Sequence, residues 1–177
     1  ATVLQRAVDA LREEGAPFVG VLYAGIILAA DGPHVLEFNC RFGDPETQAL
    51  MPLLQSDLLE ICMACAQGRL ADIEVHWRDG AAACVVLASE GYPGKYPKGR
   101  EIYGLDDVPA DVIAFHAGTD TRKDGRVVTS GGRVLGITGQ GGSIGDALAS
   151  AYEGASTVRF EGMQYRADIG LREVVDA

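Results

Sequence analysis

Glycine is spread unevenly along this chain, and the unevenness predicts two parts with different architecture. Six of the 23 glycines lie in residues 1–78, and the other seventeen lie in residues 79–177. Because glycine interrupts regular elements and marks tight turns, the second part favours short strands joined by turns. At 177 residues, the chain is long enough for one domain or for two small ones.

The first part begins with a helical pattern that is followed by a hairpin pattern. Apolar residues of 3–14 recur on one stripe, which predicts an amphipathic helix that ends at Gly15. The apolar run Phe18–Ala30 is shorter than the ~20 residues that a membrane-spanning helix needs, and it predicts a strand buried on both faces. A turn at Asp31-Gly32-Pro33 leads into a second strand, so residues 18–42 are expected to form a β-hairpin.

Two further helices are expected in the first part. Asp44-Pro45-Glu46 has the composition of a helix start, with Asp as the cap and Pro at the first helical position. Ser56-Asp57 opens the next helix, which is expected to run to about Gln67 and to stop at Gly68.

The second part contains five short strand patterns and one helix pattern. The helix follows Ser143, which resembles a capping box together with Asp146. The expected strands are AACVVLAS (82–89), REIYGL (100–105), DVIAFHAG (111–118), GRVVTSGG (125–132) and RVLGITG (133–139). The whole chain is therefore expected to have an α+β fold, in which a domain at 1–78 precedes a β-rich, barrel-like or sandwich-like domain at 79–177.

The charge balance disfavours several classes of partner. Fifteen basic and twenty-five acidic side chains give a formal charge of −10, so the chain is expected to repel nucleic acids and anionic membrane surfaces. The densest basic pair, Arg122-Lys123, is followed directly by Asp124. The first residues lack the basic-then-apolar pattern of a signal peptide, which argues against secretion.

The four cysteines allow a structural or a metal-binding interpretation. Cys62 and Cys65 form a C-x-x-C pair, a spacing that metal sites use. They lie in a segment with helical periodicity, where residues at i and i+3 share one face, and no second pair follows. We therefore expect structural roles for them in a reduced, cytoplasmic protein.

The segment Leu36–Phe42 carries the polar residues that most indicate chemistry. Side chains alternate along a strand, so Glu37, Asn39 and Arg41 are expected on one face. Carboxylate and amide oxygens suit Mg²⁺, and a guanidinium suits a phosphate. Such a row can hold a magnesium nucleotide during phosphoryl transfer, although an ordinary strand with its polar face in water has the same pattern.

The thirteen residues LEFNCRFGDPETQ (36–48) resemble the signature of the glycinamide ribonucleotide synthetase family, also called phosphoribosylamine–glycine ligases. The resemblance continues in order along the chain, through the segments 18–28, 91–99, 115–119, 124–139 and 165–170. It implies an ATP-grasp ligase of purine biosynthesis. Members join glycine to 5-phosphoribosylamine, with the glycine carboxylate activated by ATP as an acyl phosphate that the amine attacks.

The resemblance also implies roles for particular residues. Glu37 and Asn39 match the family's ligands for magnesium (or manganese), and Arg41 matches an arginine on the phosphate side of ATP. Asp44 and Glu46 lie in the loop beside the substrate region and, with Arg41, are the expected catalytic residues. ATP, glycine and 5-phosphoribosylamine are the expected small-molecule partners, and a monomer is favoured.

The chains of this family are more than twice as long as this one. Residues 1–78 are therefore expected to be the C-terminal part of the ATP-grasp domain, and 79–177 the family's C-terminal domain. The missing N-terminal portion is the expected partner, and the chain alone is expected to be inactive. The alternative is a stand-alone, non-catalytic β-rich binding module derived from the same family. The length of the encoding reading frame distinguishes the two.

Three other motifs have plain structural explanations. The glycine-rich segment at Gly139, Gly141 and Gly145 resembles a dinucleotide-binding loop, but its glycine spacing differs from that fingerprint by one residue. A turn into a capped helix is therefore expected. The turn GYPGKYPKG (91–99) carries two lysines that either touch a phosphate or lie at the surface. His116 is expected in a core or turn position, because no hydrolase-like partner pattern accompanies it.

Overall fold

The structure is a computed structural model that describes residues 2–171 of the chain. These residues form two compact units. The first unit contains the described residues up to 47 together with 54–77, and the second contains 48–53 and the described residues from 78 onward. Both units mix helices with antiparallel strands, so the predicted α+β class is confirmed. The assignment of separate domains to 1–78 and 79–177 stays a prediction.

The helices of the first unit begin and end where their capping residues predict. Gly15, at a φ of +77°, ends the first helix, and its N–H donates to the Arg12 carbonyl at 3.1 Å. The Asp57 carboxylate caps a later helix by accepting from the N–H groups of Leu59 and Glu60. The elements are α1 (Thr2–Glu13), β1 (Tyr23–Ala29), β2 (Gly32–Asn39), α2 (Glu46–Leu50), which continues into the second unit, and α3 (Leu58–Ala66).

The predicted hairpin forms, but it is shorter than expected and contains a β-bulge. β1 pairs antiparallel with β2, and the register shifts so that Ile26 lies opposite Val35 while Gly25 lies opposite Glu37. Leu36 is therefore an extra residue on β2. The hairpin does not extend over 18–42, because Gly20, at a φ of +142°, interrupts the chain before β1.

The first strand is not buried on both faces, contrary to the prediction from its apolar composition. Ile27 is half exposed and Leu28 is 82% exposed. The cause is the size of the sheet, since β1 and β2 form a two-stranded ribbon in the described part of the chain. α2 also differs slightly from expectation, because it begins at Glu46, after Pro45 rather than at it.

The second unit is built on an open four-stranded antiparallel sheet with the strand order β4-β7-β3-β8. A separate ribbon pairs β5 with β6. The sheets of the described residues are not closed, so the expected β-rich part is present without barrel closure, and residues 100–105 form isolated bridges rather than a strand. The elements are β3 (Ala81–Ser89), β4 (Ile113–His116), β5 (Thr119–Thr121), β6 (Val127–Thr129), β7 (Arg133–Gly141), α4 (Ile144–Thr157) and β8 (Met163–Gln164).

α4 packs on one face of this sheet and forms the core with it. The fully buried side chains of Leu87, Leu135 and Ile137 belong to that core. Gly139 allows the close approach, because a Cβ there would lie 2.5 Å from the Ala147 carbonyl oxygen. The expected turn into a capped helix is present, because Ser143 caps α4. Gly139 serves helix packing as well, which the sequence pattern did not predict.

Candidate functional site

Glu37 and Asn39 lie together on the same face of β2. The Asn39 Nδ2 donates a hydrogen bond to Glu37 Oε1 at 2.8 Å. Glu37 is exposed and Asn39 is partly buried, so both side chains are open to a ligand from solution. Alternation along the strand predicts this pairing, and the hydrogen bond shows that the two polar groups meet.

β1 brings two further residues to the face that carries this pair. Gly25 lies opposite Glu37, and a Cβ at Gly25 would come within 3.3 Å of the Glu37 Cγ, so glycine leaves the carboxylate its space. Tyr23 lies opposite Asn39. Directly opposed residues of an antiparallel pair point to the same side of the sheet. Tyr23 therefore belongs to the same surface as the pair.

The Tyr23 phenol connects β1 to the start of α2. Burial raises the pKa of Tyr23, and a hydrogen bond with the Glu46 side chain and the charges of Glu46 and Glu37 raise it further. The phenol keeps its proton and donates it in a hydrogen bond to the Glu46 carboxylate. Gly43 lies beside it, and a Cβ at that position would displace the same carboxylate. We call Glu37, Asn39, Tyr23 and Glu46 the hairpin cluster.

Arg41 and Asp44, the two remaining predicted site residues, lie between β2 and α2. Arg41 was expected in the strand, but β2 ends at Asn39, because the chain that would pair with it is interrupted at Gly20. The Arg41 Nη1 donates to the Phe42 carbonyl at 2.8 Å. Asp44 is exposed in the turn before α2. The catalytic and metal-binding roles of all five predicted residues stay predictions.

The donor set of the hairpin cluster fits a hard divalent cation. Glu37 offers a carboxylate, and Asn39 offers an amide oxygen once its side-chain amide is turned over, an orientation that is assigned from hydrogen bonding. Among the described residues, no group of three or more His, Cys, Asp or Glu side chains is arranged to hold a metal. An ion here would therefore keep water or phosphate ligands, as Mg²⁺ commonly does.

The cysteine pair and the singled-out histidine lie elsewhere. Cys62 is exposed and Cys65 is half-buried, and both line an apolar cavity of about 270 Å³ in the first unit. They are thus less buried than expected of core residues. The His116 Nδ1 lies 2.9 Å from the Thr119 Oγ1, which places it at the turn between β4 and β5. The helices of the described range include none that is long and apolar enough to cross a membrane.

Solved structures with this fold come from ATP-grasp enzymes. The biotin carboxylase domain of Hydrogenobacter thermophilus 2-oxoglutarate carboxylase superposes with a TM-score of 0.61 at 17% identity, covering 93% of this chain and 38% of that one. Identity that low shows the fold alone. A phosphoribosylamine–glycine ligase from Thermotoga maritima superposes with a TM-score of 0.76 at 40% identity, covering 89% of this chain and 39% of that one.

The fold is that of the C-terminal portion of an ATP-grasp protein. Residues 1–47 match the family model described as phosphoribosylglycinamide synthetase, ATP-grasp (A) domain. Residues 82–172 match phosphoribosylglycinamide synthetase, C domain. The chain belongs to the phosphoribosylglycinamide synthetase family, and the resemblance of the segment 36–48 is confirmed.

Curated relatives are similar in sequence to this chain over nearly its whole length. The phosphoribosylamine–glycine ligase of Caldanaerobacter subterraneus is 52% identical over 167 residues, which is 94% of this chain and 40% of that protein. The trifunctional purine biosynthetic protein adenosine-3 of Gallus gallus is 51% identical over 175 residues, which is 98% of this chain and 17% of that protein. The chain thus spans less than half the length of the relatives it matches.

Proposed function

We propose that this chain supplies the C-terminal part of a phosphoribosylamine–glycine ligase of purine biosynthesis. That enzyme joins the glycine carboxylate to the amine of 5-phosphoribosylamine while ATP is cleaved to ADP and phosphate. The Glu37–Asn39 pair carries the proposal, because a carboxylate and an amide meet on an open strand face within a chain about half identical to named ligases. The relatives described above give no support to a non-catalytic module.

In this proposal, each residue of the site has a distinct task. Glu37 and Asn39 hold Mg²⁺ or Mn²⁺, and the ion supplies charge neutralisation for the triphosphate. Arg41 binds a phosphate oxygen with its permanent charge. Asp44 and Glu46 orient the substrate amine, and the neutral Tyr23 phenol holds the Glu46 carboxylate in place.

Removal of either metal ligand tests the proposal in the full-length enzyme. Glu37→Gln and Asn39→Ala should each lower kcat at least ~10-fold, with a smaller change in KM for glycine, because the ion acts on charge that grows in the transition state. Glu13→Gln removes a carboxylate from the end of α1 and should leave kcat unchanged. Steady-state kinetics measure kcat and KM for each variant. Unchanged kcat in both ligand variants would show that Glu37 and Asn39 are part of an ordinary polar strand face.

The isolated 177-residue chain should not make glycinamide ribonucleotide. Phosphoryl transfer requires a triphosphate held on more than one side, and the predicted ligands of this chain form one wall. The measurement is glycine-dependent ADP release by the purified chain. Turnover in the ordinary enzymatic range of ~1–10³ s⁻¹ would contradict this expectation.

The cellular setting belongs to the same proposal. All four cysteines are free thiols, which fits a reducing cytoplasm. A monomer remains the expected state of the protein.

A further inference from the structure

The apolar cavity beside α3 contains the cysteine pair that the proposed function leaves unused. Cys62 and Cys65 both line this space of about 270 Å³, together with Phe42 and the chain segment just before β1. None of the described residues that line it carries a charge. An apolar cavity of ~150 Å³ is enough to bind benzene, so this one has room for an apolar group of ring size.

The two thiols lie on the same face of α3, toward the cavity. Residues three apart on a helix have Cβ atoms ~5–6 Å from each other. A disulfide requires Cβ atoms ~3.5–4.5 Å apart, so the pair does not close into one while α3 keeps its helical form. An atom that bonds to both sulfurs spans the wider gap, because each bond from sulfur to a soft metal adds ~2.3 Å. The helix therefore presents Cys62 and Cys65 as a dithiol.

The two thiols differ in burial, and the difference gives one of them direct access to solution. Cys62 is exposed, so a dissolved reagent reaches its sulfur without passing through the cavity. Cys65 is half-buried, and its Sγ donates a weak hydrogen bond to the Gly20 carbonyl oxygen at 4.0 Å. A reagent that bonds first to Cys62 consequently has the second thiol close by, at the cavity wall.

Compounds of trivalent arsenic that carry one apolar substituent match both the thiols and the cavity. Arsenic(III) is a soft centre, and soft centres select thiolate ligands. In an organic arsenic oxide, the As–O bonds break, two As–S bonds form, and the two thiol protons leave with the oxygen as water. No electron is transferred, so the step needs no oxidant. The apolar substituent then occupies the uncharged cavity, where a hydrated cation is disfavoured.

We propose that Cys62 and Cys65 form a covalent binding site for organic compounds of trivalent arsenic, and that occupation of this site inhibits the complete ligase. The binding depends on the thiols and the cavity alone, whereas the inhibition rests on the proposed function. Val21 lies two residues before Tyr23, and Phe42 lies in the segment that joins β2 to α2. A group that displaces this wall of the cavity therefore also displaces residues of the hairpin cluster.

Phenylarsine oxide is the probe, and the 177-residue chain is the first target. Intact-mass spectrometry should show one phenylarsenic group per chain, and peptide mapping should place it on the fragment that contains both cysteines. Cys62→Ser and Cys65→Ser should each weaken binding by ~100-fold or more, because the second bond then no longer forms within the same complex. Cys40→Ser is the matched control, since Cys40 is also an exposed thiol, and its affinity should equal that of the unaltered chain. Thermal melting of every variant verifies that it is folded.

Two competition measurements distinguish this site from general thiol reactivity. Inorganic arsenite lacks the apolar substituent and should bind ~10-fold more weakly than phenylarsine oxide. A small dithiol should remove the phenylarsenic group, whereas a monothiol at the same concentration should leave it bound. Unchanged affinity in Cys62→Ser and Cys65→Ser overturns the proposal, as does an equal loss in Cys40→Ser. Arsenite that binds as tightly as phenylarsine oxide also overturns it, because the cavity then takes no apolar group.

Kinetics of the complete ligase separate this inference from the proposed function. Phenylarsine oxide should lower kcat ~10-fold or more in the unaltered ligase, whereas in Cys62→Ser the ratio of kcat with and without the compound should stay near one. If Glu37→Gln lowers kcat but the bound compound leaves kcat unchanged, or inhibits Cys62→Ser equally, the inhibition is wrong and the proposed function stands. If both thiols bind the compound but Glu37→Gln has full activity, the roles at the hairpin cluster are wrong and the dithiol site stands.

Discussion

The strands β1 and β3 have similar apolar compositions and opposite environments. β1 reads YAGIILA and β3 reads AAACVVLAS. Leu28 at the end of β1 is 82% exposed, whereas Leu87 near the end of β3 is fully buried. β3 lies inside a four-stranded sheet that α4 covers, and β1 lies in a two-stranded ribbon. Apolar composition thus predicts that a strand forms, while its burial depends on what packs against it.

The same contrast extends to the two units as wholes. Among the described residues, the buried apolar side chains lie in the second unit, apart from Ala64 on α3. The exposed large apolar side chains lie mostly in the first unit, and the hairpin carries Ile26, Ile27 and Phe38 among them. A two-stranded hairpin is marginally stable by itself. We therefore expect the second unit to supply most of the stability of the chain.

Limited proteolysis should show the largest difference between the units. The first unit should be degraded first, leaving a resistant fragment that begins between Trp77 and Ala83, just before or within the start of β3. Mass spectrometry of the digest identifies that fragment. A resistant core that runs from the first residues across this boundary would instead show that both units share one cooperative core.

Matched leucine substitutions should show the next largest difference. Leu87→Ala leaves a cavity in the core and should reduce the free energy of unfolding by ~2–5 kcal/mol. Leu28→Ala removes an exposed side chain of the same type and should change it by no more than ~0.5 kcal/mol. Urea unfolding measures both. Equal losses would mean that β1 is covered in solution and would remove the contrast between the units.

Two glycines of one segment, Gly139 and Gly142, distinguish helix packing from backbone freedom within the second unit. Gly139→Ala should destabilise by ~1–3 kcal/mol, because the new Cβ collides with the backbone of α4. Gly142→Ala is the control, since the nearest atom to its Cβ would be 3.8 Å away and its φ is not positive. Thermal melts compare the two. If Gly142→Ala costs as much, the glycines of this segment act through backbone freedom rather than through helix packing.

Local signals predicted much of the fold. Gly15, Asp57 and Ser143 mark helix ends in the sequence, and the structure shows each of them in its capping position. These signals succeed because the cap and the groups it satisfies are a few residues apart. The exposure of β1 and the open sheets of the described second unit were not predictable in this way, because burial and barrel closure both depend on contacts between distant segments.

The β-bulges of the two units show the same limit of prediction from sequence, because each depends on the pairing of two distant strands. Alternation alone places Glu37 and Asn39 on one face, but Tyr23 joins them because the extra residue on β2 shifts the register by one. In the second unit, the register shifts between Leu87 and Ala88, so that Arg133 becomes the partner of Ala88. A bulge leaves no clear mark in sequence composition. Both neighbours were therefore missed when strands were assigned from periodicity.

The smallest expected effect concerns the proton of Tyr23 in the hairpin cluster. Its pKa is raised by burial and by Glu46, so Glu46→Gln should lower it toward the ordinary phenol value of ~10 without removing the part due to burial. Because the folded-state pKa lies above the unfolded one, the stability linked to this phenol is complete below the ordinary value and is lost as pH rises through the raised one.

Alkaline titration of phenolate absorbance, taken as the difference from Tyr23→Phe, measures the shift in the Tyr23 pKa. Glu60→Gln on α3 is the control and should leave the Tyr23 titration unchanged. An unaltered Tyr23 pKa in Glu46→Gln would show that the carboxylate does not hold the phenol, and the hairpin cluster would then reduce to the pair on β2.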